Sequence, residues 1–299
     1  MSLTSAESRV SLKNILYATD FSGPSESALP FALTMAREYD SKIIALHVLL
    51  PVTYGFAPPE SAAVVADGLE ERAKAEMQRI ESQLAGLPND VLIERDLGVW
   101  AAISRFIEEK DVDLIVLGTH GRTGAQKVLM GSVAETIFRQ SPVPVLTIGP
   151  RVGRGLHGAA RFRRILFATD FTTESLAAVP YAVSLAQEHQ AYLTLLHVVR
   201  PFPGNAVKDD KSQSAAAILY RLHELIPAEA DLWCHPETVV EYGEPAERIL
   251  AAVHERNADL VVLGVRGAQG RLGAATHLER ATAHKVVAQA DCPVLTVRG

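Results

Sequence analysis

"KNILYATDFSGPSESALPFALTMAREYDSKIIALHVLLP", residues 13–51, returns 150 positions later as "RRILFATDFTTESLAAVPYAVSLAQEHQAYLTLLHVVRP", residues 163–201, with sixteen of thirty-nine positions identical and no gap. Later segments repeat too: "DVDLIVLGTHG" (111–121) against "NADLVVLGVRG" (257–267), and "SPVPVLTIG" (141–149) against "ADCPVLTVRG" (290–299). The chain is therefore two copies of one domain, expected at 1–150 and 162–299. Residues 151–161, "RVGRGLHGAAR", are rich in glycine and basic residues, lack periodicity, and read as a linker.

Within each copy the apolar runs "ILYA", "IIALHV" and "DLIVLG" are short and continuous, as in strands buried on both faces of a parallel sheet. Between them, "SESALPFALTMAREYD" and "VWAAISRFIEEKDVD" space their apolar residues by three and four, which predicts helices. The order is β-α-β-α-β-α-β, and the fold class is thus α/β: two tandem, doubly wound, mainly parallel open sheets flanked by helices, Rossmann-like in plan. Ligands of such sheets bind beyond the carboxyl ends of the strands, where strand order reverses.

Composition sets outer bounds. The 299 residues, 48% hydrophobic and 21% charged with net charge −6, suit two globular domains and argue against disorder and against a nucleic-acid partner. The two cysteines, Cys234 and Cys292, make no disulfide framework and fit a reducing compartment. No basic segment leads into an apolar core at the N-terminus, and no apolar stretch approaches the roughly 20 residues that span a bilayer, so the expected location is the cytoplasm, without a membrane partner.

The loop after the third run, "GTHGRTGAQKVLMGSVAE" (118–135), concentrates the chemistry. Gly118 and Gly121 lack a Cβ and would let a ligand approach the backbone. Gly131 precedes Ser132, and Ser132 to Glu135 has capping-box spacing, which predicts a helix start there. Free N–H groups and a partial positive charge make a helix start an anion site. Arg122 and Lys127 add mobile positive charge to a half that carries the whole net −6. Each feature alone also fits a plain turn or cap. His120 has no partner at metal-ligand spacing, so no metal site is expected. His47 and His197 read as satisfied strand-end histidines.

Taken together, Gly118, Gly121, Gly131 and Ser132 at their spacing, with "ILYATDFS" at the start, "LHV" ending the second strand and "SPVPVLTI" at the end, resemble the nucleotide-binding pattern of the universal stress protein family. The resemblance covers nearly all of 12–149 and, more loosely, 162–299. It implies a mainly parallel sheet of four to five strands, five in each copy expected here, of the adenine nucleotide alpha hydrolase-like kind, holding ATP or AMP across the strand ends. Asp20 would bind the ribose hydroxyls, the backbone of Val48 would read the adenine edge, and Leu117 would line that pocket. Gly118 and Gly121 would follow the ribose and first phosphates, with Arg122 a further candidate through its mobile charge; Gly131, Ser132 and Val133 would hold the terminal phosphates. Any Mg2+ would arrive with the phosphates. Asp20 equally fits a turn residue, and Val48 is first a strand residue. Ala18 and Ala134 stand where some relatives carry proline and a hydroxyl residue.

The second copy keeps Asp170, Val198, Gly264 and Gly267 as weak candidates, but His277 and Leu278 stand where Gly-Ser is required. "THLE" (276–279) offers an alternative cap two residues early, with Ala275 where glycine is needed. Nucleotide is therefore expected mainly in the first copy, although Arg266 and Arg271 leave room for a rearranged site. No catalytic constellation is evident, and the Walker spacing is absent. The expected role is a nucleotide-dependent sensor or regulator of stress, with slow ATP hydrolysis or autophosphorylation at most. A non-nucleotide interaction module is the main alternative, and a flavin-binding electron-transfer subunit a further one. Nucleotidyl transferases and ATP pyrophosphatases would need His-x-Gly-His or Ser-Gly-Gly-x-Asp-Ser, which do not occur. The apolar final strands, "PVPVLTI" and "CPVLTV", invite edge pairing, predicting an internal pseudo-dimer and leaving room for a homodimer.

Overall fold

The computed structural model describes residues 10–51, 59–119, 130–152, 161–200, 208–266 and 274–299. In the first copy β1 (Asn14–Ala18), β2 (Lys42–Leu49), β3 (Asn89–Arg95), β4 (Leu114–Gly118) and β5 (Val145–Ile148) alternate with α1 (Gly23–Glu26), α2 (Leu29–Tyr39), α3 (Pro59–Gln83), α4 (Val99–Glu109) and α5 (Ser132–Gln140). The second copy repeats the order with β6 (Arg164–Ala168), β7 (Tyr192–Val199), β8 (Pro236–Tyr242), β9 (Leu260–Val265) and β10 (Val294–Arg298). Its helices are α6 (Thr173–Leu176), α7 (Val179–His189), α8 (Lys208–His223), α9 (Pro245–Arg256) and α10 (Ala274–Gln289).

The continuous apolar runs are what a doubly covered sheet needs. Ile15, Leu16 and Tyr17 of β1 are all buried, one cluster of side chains facing α2, α3, α7 and α8 and the other facing α4, α5, α9 and α10. Proline opens α2 and α7 within their first two positions, where its missing N–H costs nothing. Both helices stop at a left-handed residue, Asp40 at φ 52° and Gln190 at φ 51°.

Strand order is β3-β2-β1-β4-β5-β10-β9-β6-β7-β8, so each copy reverses direction between its first and fourth strands. All pairings are parallel except β5 with β10, where Val294 meets Thr147 and Thr296 meets Val145 in antiparallel register. The two five-stranded sheets thereby become one ten-stranded sheet, and the final strands have no exposed edge. Across this seam arginines cap the last helix of each copy. The Arg298 guanidinium donates to the carbonyls of Gln140, at 3.0 Å, and Arg139, while Arg151 donates to the Gln289 carbonyl at 3.1 Å. A cation at a helix C-terminus meets the negative end of its dipole.

On the opposite face the copies share a core. The rings of Phe31 and Phe162 stack with centroids 6.2 Å apart, and the Tyr39 hydroxyl lies 3.3 Å from Ser184 Oγ. His189 sits edge-on to Phe162 at 5.0 Å, 3% exposed, with both ring nitrogens buried and lacking a hydrogen-bond partner.

Candidate functional site

The reversal between β1 and β4 opens a crevice at their carboxyl ends. The chain leaving β1 turns sharply: Phe21 takes φ 60°, a strained value for a bulky residue. Side-chain hydrogen bonds hold the turn. Thr19 Oγ1 accepts from the Phe21 N–H at 3.1 Å, Asp20 Oδ1 accepts from the Ser22 N–H at 3.0 Å, and the Tyr17 hydroxyl donates to the Ser25 carbonyl at 2.9 Å. Asp20 is therefore a turn-forming residue and a lining residue of the crevice at once. His47 places Nδ1 2.8 Å from the Thr19 carbonyl and packs on Phe21 with ring centroids 4.2 Å apart. His197 does the same with the Thr169 carbonyl at 2.8 Å and with Phe171 at 4.8 Å. Both are satisfied strand-end histidines.

Gly118 ends β4 for a reason the sequence did not disclose. A Cβ there would lie 2.4 Å from the Pro24 carbonyl oxygen and 2.8 Å from the Ser25 nitrogen. The start of α1 rests directly on the strand, and only glycine fits beneath it. Gly264 carries the same constraint, its Cβ meeting the Glu174 oxygen and Ser175 Cα at 2.3 Å. Packing accounts for this glycine in both copies.

The loop that follows returns at Gly131, whose N–H donates to the Thr119 carbonyl at 2.6 Å. Gly131 is extended, at φ −62° and ψ 149°, and is itself the N-cap of α5. The expected helix start is present but one residue earlier than the capping box implied. Ser132 is the first helical residue, its side chain makes no cap, and Glu135 pairs with Arg139 at 3.4 Å. The first helical bond runs from the Glu135 N–H to the Gly131 carbonyl at 2.8 Å, so the N–H groups of Ser132, Val133 and Ala134 precede it. Ala134, which the sequence reading set aside as a lost hydroxyl, contributes a backbone donor.

These elements enclose a cavity of about 750 Å³. Asp20, Val48, Leu117, Gly118, Ser132 and Val133 all line it, as does Gly131. Gly121 and Arg122 lie outside the described residues, as does His120. Thr19, Phe21, and Arg72 and Glu76 on α3 line it too, beyond the residues expected from the sequence. The signal in the sequence was the four-and-three spacing of Ala73, Met77 and Ile80, all buried, which sets Arg72 and Glu76 beside the buried face of α3 where they line the crevice.

The second copy is built alike and filled differently. Asp170, Val198 and Gly264 line a cavity of about 250 Å³, and Gly267 lies outside the described residues. Helix α10 already runs at Ala274, so Thr276 to Glu279 lie within it and do not cap it. Arg221 stacks on Phe171, its guanidinium 4.0 Å from the ring centroid, and neither residue faces the cavity that Phe21 faces in the first copy. Arg266 Nε lies 3.4 Å from Glu174 Oε1 across the mouth. Burial alone would raise the Asp170 carboxyl, but the N–H and hydroxyl of Thr172 hold it below its ordinary value. Among the described residues no three His, Cys, Asp or Glu side chains are grouped to hold a metal, and no helix is long and apolar enough to cross a membrane.

Comparison with known proteins gives one consistent result. The model of the universal stress protein family matches residues 11–149 and again 161–298. A universal stress protein of Mycolicibacterium smegmatis is 25% identical over 295 residues, covering 95% of this chain and 96% of its own. One from Methanocaldococcus jannaschii is 31% identical over 138 residues, covering 46% of this chain and 81% of its own, as a single-copy relative would. The crystal structure of a universal stress protein from Archaeoglobus fulgidus superposes with a TM-score of 0.66 at 21% identity, covering 95% of this chain and 98% of that one.

Proposed function

We propose, since this chain belongs to the universal stress protein family, that its first copy binds an adenine nucleotide, ATP or AMP, and that the protein acts as a nucleotide-dependent regulator or sensor of stress. The observation that carries this reading is the start of α5. Three N–H groups with no helical partner, at Ser132, Val133 and Ala134, belong to residues lining a cavity of about 750 Å³ that Asp20 and Val48 line too. Phosphate suits the helix start through its dipole, and ribose hydroxyls suit the Asp20 carboxylate as acceptor. Leu117 and Val48 supply an apolar slot for the base. The Gly131 N–H serves the Thr119 carbonyl, so Gly131 acts by its extended backbone and its successors act as donors. Mg2+, where present, comes with the phosphates.

The test exploits a position where proline keeps the helix. Ser132 is the first helical residue and Gly131 is extended, so Ser132→Pro fits the backbone while removing one N–H and the hydroxyl. Titration calorimetry of the full chain with ATP should give one site per chain. Ser132→Pro should weaken it roughly 30-fold, as loss of one or two charge-assisted hydrogen bonds requires, with unchanged melting temperature. Unaltered affinity in that variant, two equal sites, or no binding at all would each overturn the reading; the last would favour an interaction module.

A further inference from the structure

The second cavity, in the copy whose nucleotide pattern is broken, has a composition of its own. At about 250 Å³ it is smaller than the sites of roughly 300 to 1,000 Å³ that hold drug-sized ligands. A dry apolar cavity of about 150 Å³ accommodates a benzene ring, so this one takes a ring with a short substituent. Its inner wall is aliphatic: Ala168, Leu196, Val198, Ile249 and Leu263. Its rim carries three guanidiniums, from Arg139, Arg200 and Arg266, against two carboxylates, Asp170 and Glu174.

Most of these charges are committed. Asp170 is drawn into its own turn by Thr172, Glu174 pairs with Arg266, and Arg139 pairs with Glu135. Arg200, at the exit of β7, forms no ion pair with any carboxylate among the described residues, and it is exposed at the mouth. A guanidinium presents a planar fork of N–H donors that matches a carboxylate. With Arg266–Glu174 and Arg139–Glu135 as neutral pairs, the Arg200 cation and the Asp170 carboxylate remain, so among the described residues Arg200 is the rim cation without a carboxylate partner above an apolar chamber.

We propose that this cavity is a second, separate site that binds a small monocarboxylate with a compact apolar body, of the arylacetate or branched short-chain acid class, with Arg200 as its anchor. The body enters among Leu196, Ile249 and Leu263, and the carboxylate stays at the rim. One wall is Phe138 and Arg139, at the end of α5 opposite Ser132, so a single nine-residue helix borders both cavities. The assignment stands whether or not the first copy holds nucleotide, because the two cavities share no lining residue.

The test uses the full chain with phenylacetate as probe, phenylacetamide as its neutral counterpart, and inorganic phosphate as an anion without an apolar body. Ligand-observed NMR should show saturable phenylacetate binding with a Kd of about 1 mM or tighter. Phenylacetamide should bind about tenfold more weakly, and Arg200→Gln should cost phenylacetate the same factor, since each removes one charge-assisted contact. Saturating ATP should leave phenylacetate bound. Displacement by ATP would place the probe in the first cavity and overturn the proposal. So would phosphate competing equally well, equal binding of the amide, indifference to Arg200→Gln, or no saturation.

Discussion

Replacing His189 with leucine should remove an acid-sensitive element from the shared core. The imidazole is 3% exposed, edge-on to Phe162, and neither nitrogen has a hydrogen-bond partner, so protonation would place an uncompensated charge among apolar side chains. Burial first, and the Arg161 guanidinium second, lower its pKa from 6.5 to about 4. The unfolded chain therefore binds this proton more readily than the folded one. Its contribution to stability is complete above the unfolded value of 6.5, falls with pH between 6.5 and about 4, and is flat below. The whole shift corresponds to about 3 kcal/mol, of which about 2 kcal/mol is already lost at pH 5. Urea unfolding of the parent and of His189→Leu at pH 8 and pH 5 isolates the effect. Other groups titrate in both proteins and cancel, as does any constant cost of the substitution. The parent should lose about 2 kcal/mol more than the variant between the two pH values. Equal losses would mean that His189 is hydrated or paired in solution, refuting the reasoning.

The glycines at the strand ends separate packing from ligand approach. Gly118→Ala and Gly264→Ala should each destabilise the chain by about 3 kcal/mol, because the new methyl meets backbone that cannot move aside. Gly68→Ala, in open space on α3, should instead stabilise it by about 1 kcal/mol; a mild effect at Gly118 in urea melts would contradict the close approach of α1. Cys292 is buried beside Asp259 and Asp291, and burial above all pushes its thiol up to about 12, so iodoacetamide at pH 8 should label it only after unfolding. Rapid labelling of the native protein, read by mass spectrometry, would show the β10 end of the sheet to be open.

The repeat made the architecture readable, because a doubly wound copy seen twice confirms its own strand runs, and the apolar final strands announced the seam. The crevice was readable where backbone geometry is local, as at Asp20 and at the Gly131–Ser132 helix start. It was not readable where the cause lies far along the chain. Gly118 answers to Pro24, about ninety residues earlier, and no spacing near Gly118 encodes that contact. The cap slipped from Ser132 to Gly131 because Ser-x-x-Glu fixes a helix start only to within a residue, and Glu135 had a competing partner in Arg139. In the second copy the extra turn at the start of α10 escaped notice because "THLE" imitates a cap inside a helix.

The antiparallel seam between β5 and β10 joins two halves of one molecule, not two molecules. In a symmetric pair of identical subunits, every change to one site is made in both. Here the linker supplies each half with its mate at a fixed high local concentration, so assembly neither depends on expression level nor requires the halves to remain alike. The covalent tandem thus releases the second cavity from copying the first, leaving its Arg266–Glu174 pair free to arise without loss of the 750 Å³ crevice in the other copy.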